Sequence, residues 1–220
     1  MKLTFDFGLE TIEPEKNVKN LGVLMDNLMS MENQVNKITK SAYFQIRNIS
    51  KIRKNLDTET TKTLVHALVI SKIDYCNSLL VNLPKKLLKK VQRAQNAAAR
   101  LISKTPKRNH ITPVLKNLHW LPVTARINFK ILLQTFKCLN ESAPVYLTDL
   151  LSTTRLLRSS SQAETLQVRR YRKKKHGSRA FQVAAPLLWN SIPINIRNAA
   201  NISQFKSLLK TYFFTAYYST

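Results

Sequence analysis

The sequence predicts a mainly α fold: a small N-terminal β-hairpin or three-stranded sheet, then a helical bundle, then an α-rich C-terminal extension. Three observations carry that prediction. Apolar residues from Val35 onward recur at three- or four-residue spacing. Pro84, Pro113 and Pro122 stand where periodic segments begin, and proline suits a first helical turn. Two-residue alternation, the mark of a half-buried strand, is confined to the stretch before Asp26. At 220 residues and 44% hydrophobic, the chain can bury a core as one extended domain or two small ones.

Four segments follow in order. Residues 1–29 alternate around Phe5 and Phe7, turn at Gly8 and run apolar from Val18 to Met25, which reads as two or three short strands. So small a sheet needs a packing partner, and without one Phe5, Phe7, Val23 and Leu24 would be exposed. Residues 30–105 form the bundle. Ser30 is placed to cap a helix through Val35, Ile38, Ala42, Ile46, Ile49 and Ile52, with Lys51, Arg53 and Lys54 complementing its C-terminal dipole. Asp57 starts a second helix. On a straight wheel its apolar half holds Leu64, Val65, Leu68, Val69, Ile73, Tyr75, Cys76, Leu79 and Leu80, and its polar half holds His66, Asp74, Asn77 and Ser78. A third helix follows Pro84. Residues 106–151 are a helical connection with starts at Thr112 and Pro122, a helix from about Val123 to Leu139, and a short one from Ser142 to Leu151. Residues 152–220 are a basic extension. It opens with a Ser/Thr/Arg-rich linker, continues as an extended or hairpin segment, and closes in a helix from Ser203.

Charge narrows the function. There are 36 lysines and arginines against 12 acids, a net charge of +24 and a pI near 10.4, in the range of proteins that meet polyanions. The imbalance is zoned: no acid lies between Asp74 and Glu141, and none follows Glu164. In the third helix Lys85, Lys86, Lys89, Lys90, Arg93 and Arg100 share an arc of roughly 140°, opposite Leu88, Val91 and Ala98. Such a stripe suits phosphate contact, lysines as point charges and arginines as forks. The run Arg169, Arg170, Tyr171, Arg172, Lys173, Lys174, Lys175 suits phosphates and one stacked base, or nuclear import.

Other chemistries find no residues. Three glycines preclude a Gly-rich phosphate loop, and no adjacent Asp-Asp pair offers a two-metal site, so no metal or cofactor is expected and the chain reads as non-catalytic. Asp74 lies eight residues from His66, roughly 12 Å along a helix, too far for a dyad, and is expected to make a surface or interhelical ion pair. His110 and His119 are expected to be structural hydrogen-bonding residues. Cys76 and Cys138, without close cysteine partners, read as reduced structural thiols. No uninterrupted apolar run approaches 18 residues, so no membrane segment is expected and the chain is read as intracellular, nuclear or cytoplasmic.

The blocks "NVKNLGVLMDNLMS", "LVHALVISKIDYCNSLLVNLP", "VQRAQNAAARLI", "HITPVLKNLHWLPVTARINFKILLQTFKCLNESAPVYLTDLL" and "GSRAFQVAAPLLWNSIP" resemble the C-terminal third of reverse transcriptases of non-LTR (LINE-type, jockey-like) retrotransposons. The resemblance implies that the polymerase's metal-binding Asp-Asp turn is absent and that the chain starts after it. It also implies that Val18 to Asp26 corresponds to the strand region beyond the palm, and Ser30 to Lys104 to a thumb-like bundle that cradles template and primer. It assigns no role to "HWLPV" or "LWNSIP". The expected protein is a non-catalytic remnant that binds RNA or DNA by its backbone. A second reading is a protein-interaction module presenting Trp120, Trp189 and the C-terminal helix. A third is a thumb supplied to a separate palm-containing polypeptide.

Overall fold

The computed structural model describes residues 5–8, 10–12, 15–151 and 165–218; the linker expected at residues 152–164 lies outside them. The fold is mainly α, as predicted. Strands β1 (Phe5–Phe7) and β2 (Glu10–Ile12) pair antiparallel, as do β3 (Asn17–Asn20) and β4 (Val23–Asp26), so the described residues form two separate hairpins, not a three-stranded sheet. The second turn is Leu21-Gly22, both at positive φ, the backbone a two-residue turn of right-handed twist requires.

Helix α1 (Glu32–Ile52) supplies the packing partner for β3 and β4. The Leu24 N–H donates to the buried Gln34 side chain, the Lys37 ammonium donates to the Gly22 carbonyl, and Val23 is buried against α1 with Met31 and Val35. With that partner in place Val23 is buried and Leu24 is half-buried. Ser30 is not the main cap. Asp26 accepts from the backbone N–H groups of Leu28, Ser30 and Met31 and from the Ser30 hydroxyl, while Ser30 Oγ reaches only Glu32 N–H at 3.3 Å. Burial pushes the Asp26 carboxyl up, but these donors outweigh it and hold it below its ordinary value.

Helix α2 (Thr58–Val65) starts at Asp57, whose carboxylate accepts from Thr60 N–H. The straight wheel then fails. Residues His66–Ile70 form a π-turn, α3 (Ser71–Asp74) is short, and the chain turns out at Tyr75 and left-handed Cys76 into the 3-10 segment Asn77–Leu80. The wider turn advances the register, so Val65, Val69, Ile70 and Ile73 stay inside while Leu68, Tyr75 and Leu79 are exposed. Asn77, expected on the polar side, is buried and donates to Asp74.

Helix α4 (Lys85–Ser103) runs in the same direction as α1. Lys90 near its start meets Asn36 near the start of α1, and Arg53 past the end of α1 meets its last carbonyls. Next come α5 (Thr112–Asn117), α6 (Val123–Leu139) and α7 (Val145–Thr148), the last shorter than the predicted Ser142 to Leu151. The C-terminal part holds α8 (Lys174–Gly177), α9 (Phe181–Ser191), α10 (Ile194–Arg197) and α11 (Ile202–Tyr218). Ahead of α8 no hairpin forms within residues 165–173; the Asn190 amide instead binds both the N–H and the carbonyl of Leu166.

Two apolar cores meet on α6. Ile127 and Ile131 join the core of α1, α2, α3 and α4, whereas Ala125, Leu132 and Phe136 join Trp189, Phe205, Leu209 and Phe213 from the C-terminal helices. Phe136 stacks on Phe205 at 4.3 Å. Pro122 offers α6 no side-chain cap, so α4 does: Gln92 accepts from Val123 N–H, and fully buried Gln95 donates to the Leu121 carbonyl.

Arg53 is the main revision to the helix ends. It does not complement α1; it is 7% exposed and its guanidinium donates to the carbonyls of Leu101, Ile102 and Leu56, closing α4 at its negative end. Hydrogen bonds to a charged donor are worth about 1.5–3 kcal/mol. Arg53→Met is expected to cost at least about 2 kcal/mol, seen as a lower denaturant midpoint at unchanged m value. Arg53→Lys should recover less than half, because one ammonium lacks the fork that reaches three carbonyls.

Candidate nucleic-acid interface

The third-helix stripe exists but is not uniform. Lys85, Lys86, Lys89 and Arg93 are exposed. Lys90 is half-buried and tied to α1, 3.0 Å from Asn36 Oδ1 and 3.9 Å from Glu32. Arg100 is also half-buried and braces the loop beyond α4 through the carbonyls of Pro106 and Asn109. Two of the six predicted cations therefore hold structure. Lys85 and Lys86 sit in the first turn, where no acid is present and the helix dipole is positive. That like-charge crowding makes the end of α4 receptive to an anion.

The exposed cationic surface extends from α4 onto α1. Tyr43, beside the α1–α4 seam marked by Asn36, and Lys40, Phe44, Arg47 and Lys51 all stand on the exposed side of α1. The same helical periodicity that isolates the α4 stripe places these residues on one side of α1, opposite its apolar face.

The second basic zone lies beyond the start of α4. Arg169, Arg170, Tyr171, Arg172 and Lys173 are exposed, and Lys174 and Lys175 open α8. Just past α8, the Ser178 carbonyl accepts from Asn82, two residues ahead of Pro84, which brings the basic run toward the lysine-bearing end of α4. Arg179 fastens the same region by donating to the carbonyls of Met29 and Leu79. Tyr171 is less free than its sequence context suggests, because its Cβ and ring pack where a Cβ on Gly177 would sit, 2.7 Å and 2.9 Å from that position.

Asp74 is an interhelical ion pair, 2.7 Å from Arg126 of α6. Together with His66, His119, Trp120, Lys130 and Lys210 these residues line a cleft of about 390 Å³. Three of its titratable groups, Asp74, Arg126 and His66, already have hydrogen-bond partners. Asp74 also accepts from Asn77, Arg126 donates to the Leu121 carbonyl, and His66 Nε2 accepts from the Trp120 indole N–H. His119 does not serve as a hydrogen-bonding structural residue in the way expected; its ring packs on Phe214. His110 is exposed, Cys138 is buried and Cys76 half-buried, both as free thiols. Trp120 and Trp189 are 2% and 3% exposed, and Phe205, Leu209 and Phe213 of α11 are buried, so the surface expected for an interaction module is core.

Among the described residues no group of three His, Cys, Asp or Glu could hold a metal ion, and no helix is long and apolar enough to cross a membrane. No protein-family model, curated protein or solved structure matches the chain.

The Trp120–His66 bond carries a pH dependence. Burial, then Arg126 and Lys62, push the His66 imidazole below its ordinary value. A depressed histidine stabilises the fold above the imidazole range and loses that contribution as pH falls through its folded value, when Nε2 gains a proton and stops accepting. Stability measured by denaturant should be slightly lower at pH 5 than at pH 7 through this group, the difference kept small because His66 is exposed and solvent screens it. His66→Gln, which keeps an acceptor and does not titrate, should remove that increment.

Proposed function

We propose that this chain binds nucleic acid through its phosphate backbone and has no polymerase activity of its own, as a non-catalytic derivative of a reverse-transcriptase thumb. One observation carries the reading: Lys85, Lys86, Lys89 and Arg93 stand exposed along one side of α4, with Glu32 drawn to Lys90 at the margin. The net charge of +24 and the sequence resemblance support the same partner. A solvated surface mixes signs at i±4 spacing, whereas this stripe does not. The polymerase assignment is negative because the two-metal mechanism needs paired carboxylates, and the sequence has no adjacent Asp-Asp pair.

Neutralising Lys86, Lys89 and Arg93 together should leave the fold intact, since all three are exposed and surface changes shift stability by about 0.5 kcal/mol or less each. The slope of log K against log salt should flatten by about 0.9 per lost phosphate contact on duplex, or about 0.7 on a single strand. Lys90 is left in place because it holds α1. An unchanged slope, with the whole loss appearing when Arg169 to Lys175 is neutralised instead, would refute the α4 assignment.

Primer extension on an RNA template with Mg²⁺ or Mn²⁺ should give no product. Template-dependent incorporation that disappears on mutating one acid of this chain would contradict the non-catalytic reading.

A further inference from the structure

The exposed side of α1 carries aromatic rings that the α4 stripe lacks. At roughly 100° per residue, Lys40, Phe44, Arg47 and Lys51 fall within an arc of about 60°, with Tyr43 at its edge toward α4. Phe44 keeps 61% of its surface exposed and Tyr43 44%. Neither ring has an aromatic or cationic stacking partner among the described residues. Single exposed apolar residues are ordinary. Two rings flanking a row of cations on a helix of 21 residues are a different arrangement, because the helix holds rings and charges in fixed positions, Phe44 at one edge of the row and Tyr43 at the other.

Charge selects the occupant. A second copy of this chain would bring like charge onto the same cationic surface. Nucleic acid has the opposite sign, and its form decides whether the rings are used. A duplex turns its phosphates outward and keeps base faces stacked inside, beyond reach of a ring on a convex helix. An unpaired strand presents base faces between successive phosphates, matching rings beside cations.

We propose that the exposed side of α1 is a stacking platform for unpaired bases, Phe44 as its main ring and Tyr43 as its second, and that the chain takes single-stranded nucleic acid in preference to duplex. The phosphates of that strand lie along Lys40, Arg47 and Lys51, with the seam to α4 carrying them on to Arg93 and Lys89. This rests on the backbone-binding reading of α4, and the two fail separately.

The test uses the full chain, a labelled oligonucleotide and the same oligonucleotide annealed to its complement, in wild type, Phe44→Ala, Phe44→Trp and the Lys86/Lys89/Arg93 neutralised variant. Phe44→Ala should weaken the single strand by about 5- to 150-fold, the range for one stacked base. It should leave duplex affinity and both salt slopes unchanged, because no charge is removed. Phe44→Trp, keeping a ring, should restore single-strand binding. Equal affinity of Phe44→Ala and wild type for the single strand, or equal weakening on both forms, overturns the platform while the α4 reading stands. A change in sedimentation without a change in strand binding assigns Phe44 to a protein contact and also overturns it. Wild type that binds neither form removes both readings.

Discussion

Cations outnumber acids three to one in this chain, and the fold has to stabilise buried guanidinium groups with few carboxylates to pair them. At several of them it uses backbone carbonyls, although Arg197 keeps its Nε and Nη1 buried without a partner among the described residues. Arg53 binds two such carbonyls at the end of α4 and the Leu56 carbonyl beside it, Arg100 two in the following loop, Arg179 two from the β4–α1 connection and the segment before α4, and Lys37 one in the β3–β4 turn. Among the described residues, Arg126 alone combines a backbone carbonyl with a carboxylate, Asp74. Carbonyls left over at turns and helix ends are acceptors the chain must satisfy in any case. A cation placed there meets two needs at once and consumes no acid.

That solution sorts the charge. Residues aimed at carbonyls or at α1 hold the structure together. Lys85, Lys86, Lys89 and Arg93 on α4, and Lys40, Arg47 and Lys51 on α1, point to solvent. Because α1 and α4 lie side by side in the same direction, their exposed sides form one surface, and its cations repel each other unless a polyanion is present. The proposed function and the proposed strand preference both draw on this surface; they differ in whether charge or ring does the selecting.

Helix α6 sets how rigidly that surface is held. Its two apolar sides belong to different cores, so the burial that orders α11 and the burial that orders α4 share one element. Between α4 and α6 the polar contacts are neutral amides, Gln92 and Gln95, which satisfy buried backbone groups without bringing another charge into the interior. Tyr218 fastens the far end of the chain to the Trp120 carbonyl in the same place.

The sequence by itself determined the helical class, the starts at Asp57, Pro84 and Pro122, the two faces of α4 and the segregation of charge, because these depend on local periodicity, proline geometry and composition. It placed Asp74 on a polar side and so away from the core. Other features required the tertiary structure. The π-turn at His66–Ile70 has no local signature, so the wheel through Tyr75 and Leu79 came out wrong. Arg53 belongs by sequence to the end of α1 and in space to α4, and its carbonyl partners lie up to 49 residues away. Lys86 and Lys90 look equivalent along the helix, yet one faces solvent and the other reaches Asn36, since only packing against α1 distinguishes them. Trp120 and Trp189 resemble surface anchors in a basic sequence and are buried because α6 and α11 close over them. In each case the deciding partner is distant in the chain, and periodicity read along one element carries no information about what that element will pack against.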